Sequence, residues 1–330
     1  MHTPAEVIQS SVVDITGSVR QWWTRRRRAF AWLFLVLAGC TAGFALVYWF
    51  TVRTVPGRVL DDSALRGADL GSSRASDNVE AVLDVITVTS MVAAVALVSV
   101  IALLRMRRNL GVAAVGLLVM TSLVSRILKA YLIPRPDLGL DEVTPATLNS
   151  LPSGHATAAF SIGAALLFVV PAALRRATAA VAIAFSSTAA IATMSAGWHR
   201  AGDSLASFLL VTGCAAFIAL LVLLVGGPAD DADPEVPAPR PQASRRAGLL
   251  LAGMLLLAGV LILLVVASPR LRDSVLGAPM AFFAAGLLIV ASAIACTRIV
   301  LGIVERISPT STALQPSSPQ PEEGPSAAPD

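Results

Sequence analysis

The sequence predicts an all-α protein that crosses a membrane about eight times. Three observations point there. The chain of 330 residues is 55% hydrophobic and only 14% charged, with a mean hydropathy of +0.74, far from soluble-protein values. Several apolar runs exceed about 18 residues, enough to cross about 30 Å of hydrocarbon as helix. The net charge of +4 is gathered in short arginine clusters between those runs, which is a topology signal and excludes a nucleic-acid surface.

Residues 1–28 are polar, end in Arg25-Arg26-Arg27-Arg28, and read as a cytoplasmic N-terminal segment. Arg27-Arg28 faintly resembles a twin-arginine signal, and Leu37-Ala38-Gly39-Cys40 a lipoprotein cleavage box. The apolar run continues past Cys40 to Phe50, so a full membrane helix over 29–51 is the stronger reading. Residues 52–79 carry mixed charge and read as a polar loop. Helices follow over 80–104, 110–132, 154–170 and 178–196, and a sixth runs from just after Asp203 to 226. Residues 227–246 read as a cytoplasmic linker, and two more helices fit over 247–267 and 278–302. The tail, 303–330, is rich in Pro and Ser and reads as disordered.

Arginine clusters at 105–108, 175–176 and 240–246 put those turns on the same side as both termini, the cytoplasm. The loops at 52–79, 133–153 and 197–203 then lie outside. Cys40, Cys214 and Cys296 all sit within apolar runs at spacings that suit neither a metal nor a disulfide framework.

This topology gathers scarce polar residues at the outer interface. Lys129 is the single lysine, and His155 and His199 are two of only three histidines. Lys129 and Arg135 close the third helix, Ser153, Gly154 and His155 open the fourth, and His199 and Asp203 lie between the fifth and sixth. Such a set suits phosphoryl transfer. Cations and the N–H donors of a helix start stabilise phosphate oxygens. One imidazole attacks phosphorus and the other protonates the leaving oxygen. Asp203 lies one helical turn beyond His199 and can fix its tautomer. No acidic cluster suggests a metal site.

At these residues the sequence resembles the type 2 phosphatidic acid phosphatases, whose pattern reads KxxxxxxRP, PSGH and SRxxxxxHxxxD. Pro152-Ser153-Gly154-His155 fits as written, and His199 and Asp203 fit the end of the third motif. Lys129 precedes Arg135-Pro136 by five intervening residues instead of six, and Ala192-Thr193 stand where Ser-Arg is expected. The resemblance covers residues 29–226 and implies a six-helix phosphatase-like core, with the helices over 247–302 outside it. It further implies His199 as nucleophile, Asp203 as its orienting group and His155 as general acid. Lys129, Arg135, Ser153 and Gly154 would hold the phosphate, with no metal or cofactor. Arg200 is the nearest substitute for the missing arginine and Arg126 a more distant one. A lipid-headgroup contact is the plain alternative for Arg200, an interfacial anchor for Trp198 and helix capping for Asp203.

The expectation is a metal-independent hydrolase of a lipid phosphomonoester or pyrophosphate in a bacterial plasma membrane. Phosphatidate, phosphatidylglycerol phosphate and polyprenyl (di)phosphate are the candidate substrates. The partners are that lipid and the bilayer, with no nucleic acid, and the oligomeric state is open. A phosphotransferase, or a non-catalytic lipid-binding or transport protein on a degraded core, is the rival.

Overall fold

A computed structural model describes residues 4–68, 88–140, 150–225 and 242–307, and among them every regular element is helical. Six helices are long and apolar enough to span a membrane, and two shorter ones are apolar as well. The first, α1 (Pro4–Arg53), begins 25 residues before the predicted 29. From Gln9 to Arg53 no proline interrupts it, so the helix runs through the arginine cluster; the apolar span within it is Trp23–Arg53.

The polar segment after α1 departs from its expected loop. It folds as α2 (Val55–Ala68), with Pro56 in its first turn and one face buried. Proline suits that position because the first-turn N–H groups have no intrahelical acceptor. Residues 69–79 of the expected loop, and the expected start of the next helix at 80–87, lie outside the described residues. α3 (Val88–Leu104) and α4 (Arg108–Ile127) follow. A five-residue π turn, Leu128–Leu132, extends α4. α5 (Gly154–Val169), α6 (Arg175–Ser195) and α7 (Ala201–Val225) complete the central bundle. α8 (Gln242–Val266), the short α9 (Pro269–Arg272) and α10 (Gly277–Ile307) close the chain. Most of the predicted 227–246 linker, and the tail from 308, lie outside the described residues.

α7 sits at the centre, packed against α1, α4, α5 and α10. Its Phe208 meets Phe160 of α5, ring centroids 5.0 Å apart, within a continuous buried cluster that includes Leu117, Leu118, Val211 and Val300. In a bilayer the hydrophobic effect does not drive helices together, so close packing through small residues must. Gly163 shows this: a Cβ there would lie 2.5 Å from Ala182 Cβ, so α5 and α6 touch nearly backbone to backbone. Buried hydroxyls of Thr121, Ser186 and Thr212 donate to the carbonyl four residues earlier, which satisfies them without breaking the helix.

The two ends of the bundle differ in chemistry. At one end, the Arg105 guanidinium donates to Val169 O at 2.9 Å, and that of Arg26 donates to Leu223 O. Both cap helix C-termini, where carbonyls lack intrahelical donors and a cation meets the negative end of the dipole. At the other end, α4 finishes and α5 and α7 begin. The polar constellation lies there.

Candidate active site

The start of α5 places Ser153 and Gly154. Ser153 is fully buried and has extended backbone (φ −67°, ψ 122°); its hydroxyl accepts from Ala156 N at 3.3 Å and caps α5. The cap is tied to the neighbouring helix, since Ser153 N donates to Asp203 O at 3.1 Å and Ser207 Oγ donates to Ser153 O at 2.9 Å. The Ser153 amide is therefore committed to the protein. Gly154 is exposed, and a Cβ there would meet nothing within 4 Å, so open space adjoins the positive end of α5.

The third motif forms a tight turn between α6 and α7. Both Trp198 N and His199 N donate to Thr193 O, at 3.0 and 3.2 Å. Thr193 is fully buried, and its hydroxyl donates to Ala190 O at 2.9 Å; the position supplies a turn acceptor and no cation. His199 Nδ1 lies 3.3 Å from Asp203 Oδ2, which also accepts from Arg200 N at 2.9 Å. Asp203 is thus both the cap of α7 and the partner of His199, two roles that the sequence allows to coexist. The His155 and His199 ring centroids are 6.4 Å apart. The Trp198 ring lies 5.6 Å from that of His155, so an indole borders the site.

Lys129 falls in the π turn, whose i→i+5 bond runs from Ile133 N to Leu128 O at 3.0 Å. A π turn changes the angular register of a helix, and here it coincides with the one-residue departure in motif spacing. Lys129 is close enough to His155 and Asp203 for their charges to interact. Arg135 donates to Ser150 Oγ at 2.9 Å, and Ser150 in turn hydrogen-bonds the Asp203 carboxylate. Arg135 Nε and one Nη are buried without a hydrogen-bond partner. Burial first, then the neighbouring Arg200 charge, brings Arg135 down to about 10.

Four charged residues, Arg58, Asp61, Asp62 and Arg200, meet here from two distant stretches of the chain. Arg200 is fully buried, and its Nε pairs with Asp62 of α2. Asp62 also lies 3.5 Å from Arg58 Nε. Asp61 Oδ1 accepts from Gly202 N at 3.1 Å, so two adjacent carboxylates of α2 grip either side of Ala201. Burial pushes Asp61 up to about 7, reinforced by the Asp203 charge and opposed by the Gly202 N–H and Arg200. The one local signal for α2 is weak: Arg58 and Asp62 are one helical turn apart after a Pro56 start, a spacing that mixed-charge loops also show. Arg126, by contrast, is exposed on α4. Among the described residues no three His, Cys, Asp or Glu side chains converge to hold a metal ion.

The turn, the capped helix start and the paired imidazoles lie in one segment, and residues 109–225 match the family model of the PAP2 superfamily. The chain carries a PAP2-superfamily core. No curated protein and no solved structure matches the chain. The PAP2 match, with the six long apolar helices, makes this an integral membrane protein with a phosphatase-type fold. The match spans α4 to α7 and leaves out α1, α2, α3 and the C-terminal helices α8 to α10. The α2 carboxylates that hold the third-motif turn therefore come from outside the PAP2 match.

Proposed function

We propose that the protein is a metal-independent lipid phosphatase working through a phosphohistidine on His199. The observation that carries this is the facing pair His155 and His199, 6.4 Å apart, with only His199 hydrogen-bonded to a buried carboxylate. That asymmetry separates the roles. Asp203 at Nδ1 leaves Nε2 as the lone-pair nitrogen of His199, the attacking atom. The P–N bond forms as the P–O bond to the lipid breaks, and His155 gives its proton to the leaving oxygen. His155 then takes a proton from water, whose oxygen attacks phosphorus; the P–N bond breaks and inorganic phosphate leaves. Lys129, Arg135 and the Gly154 N–H stabilise the charge on the equatorial oxygens.

A lipid substrate is supported by a cavity of about 270 Å³ bounded by α1, α4 and α7, lined by Phe44, Met120, Leu128, Leu209, Cys214 and others. Leu128 is the residue before Lys129. Met120 to Leu128 spans about 12 Å of helix, so the cavity extends along the apolar part of the bundle up to the level of the residue before Lys129. A tail there would place its phosphate among the cations. The arginine clusters at the opposite end support a site on the extracytoplasmic face. Phosphatidate, phosphatidylglycerol phosphate and polyprenyl phosphate or diphosphate share this chemistry. Thr193, in place of an arginine, is the one observation that favours a non-catalytic lipid-binding protein.

The test is phosphate release by purified protein from a panel of these lipids, with chelator present, for wild type, His155→Ala and His199→Ala. Release by wild type and loss in both variants supports the reading. Release undiminished in His199→Ala overturns the nucleophile, and no release from any lipid favours the non-catalytic protein.

A further inference from the structure

α2 brings to this site a guanidinium that no motif provides. Arg58 is 5% exposed. Its Nε lies 3.5 Å from Asp62 Oδ2, while Nε and one Nη are buried without a hydrogen-bond partner. Burying guanidinium donors without acceptors costs free energy unless something else receives them. Asp62 spends its other oxygen on Arg200, the neighbour of His199, so one carboxylate sets two guanidinium groups side by side. Both Arg58 and Arg200 lie close enough to Arg135 for their charges to act on it. Three arginines thus converge around the third-motif turn, at whose head Thr193 is buried and bonded to its own helix.

The charge balance of the cluster points the same way. Lys129, Arg58, Arg135 and Arg200 are four cations. Asp62 and Asp203 oppose them as carboxylates, and Asp61 ionises near neutrality with its position at about 7. The cluster is left with a positive excess suited to a phosphate dianion.

We infer that α2 completes the phosphate-binding site with Arg58, which takes the place of the arginine absent at position 193, and that Asp62 is the positioning residue that orients Arg58 and Arg200 together. This rests on the phosphatase reading above. α2 is in turn held by α10: a Cβ on Gly67 would lie 2.2 Å from Ala278 O and 2.7 Å from Phe282 Cβ. The C-terminal helices thereby brace the site from outside the PAP2 match.

The experiment uses full-length protein in detergent with orthovanadate, a tetrahedral phosphate mimic, as the probe. Its dissociation constant is measured by calorimetry alongside kcat and KM on a lipid phosphate. A hydrogen bond to a charged group contributes about 1.5–3 kcal/mol, so Arg58→Gln is expected to weaken vanadate by roughly tenfold or more. Arg58→Lys keeps the charge but not the fork and falls between. Arg66→Gln, on the exposed face of the same helix, is the control and binds as wild type. Asp62→Asn lowers kcat/KM and weakens vanadate, because a single amide oxygen cannot hold both guanidinium groups. Unchanged vanadate affinity in Arg58→Gln and Arg58→Lys, with or without a lower melting temperature, overturns the inference and leaves Arg58 a structural residue. If wild type itself binds no vanadate and releases no phosphate, the phosphatase reading falls, and this inference with it.

Discussion

Asp61 offers a test of the site's electrostatics that needs no substrate. Burial and the nearby Asp203 charge outweigh the N–H that the carboxyl accepts from Gly202 at 3.1 Å and move it from 3.8 to about 7. Ionising such a group in the folded protein costs on the order of 4 kcal/mol relative to the unfolded chain. The sign follows from proton counts. Between about pH 4 and pH 7 the folded protein keeps a proton that the unfolded chain has released. This group's contribution to stability therefore falls as pH rises through that window and is flat above it. Asp61→Asn preserves the acceptor for Gly202 and removes the ionisation. The variant and wild type should melt together near pH 4 and diverge as pH rises, with the variant higher by roughly 5 °C above pH 7. Thermal unfolding in detergent at half-unit pH steps reads this directly. A difference between the two proteins that does not change with pH, or a variant that loses stability above pH 7, would refute the reasoning.

Other perturbations test the turn and the cavity. Asp203→Asn puts amide hydrogens against donors from His199, Arg200 and Ser150; kcat should fall at least about tenfold, from the loss of a charge-assisted bond, and activity above half of wild type would argue against it. Gly202→Ala places a methyl 2.8 Å from both Asp61 Oδ2 and Thr51 Oγ1, and overpacking of this kind costs about 1–3 kcal/mol, visible as a lower melting temperature with reduced kcat. Cys214→Phe fills the cavity between α1, α4 and α7; KM should rise for a long-chain lipid phosphate and stay level for a short-chain soluble one. Equal effects on both substrates would remove the cavity from the account.

Much of this architecture is legible from apolar run length alone. α5 and α7 need little else, since a Ser-Gly start and an HxxxD turn bracket uninterrupted apolar segments and both helices begin within about three residues of where the motifs put them. The Lys129 register was not legible, because motif spacing assumes an α-helix and the chain makes a π turn there. α2 was hidden for a different reason. Its Asp61 and Asp62 look like solvent-facing loop charges until their partners are known, and those partners, Gly202 and Arg200, lie about 140 residues away. Arg200 shows the same limit. Its sequence neighbours place it equally well at a headgroup or in the site, and only the fold turns it inward onto Asp62. Where a charge pairs across the bundle, sequence spacing carries no trace of it.

The central claim is that phosphorus bonds to His199, and the most direct measurement is to trap that bond. Full-length protein is mixed with a phosphorus-labelled lipid phosphate, quenched in alkali within milliseconds and analysed by peptide mass spectrometry. Alkali preserves phosphohistidine while stopping turnover. The account predicts label on the peptide containing His199, greater accumulation in His155→Ala when the leaving group needs no proton, and none in His199→Ala. Label on another residue, or steady phosphate release by His199→Ala, would contradict it.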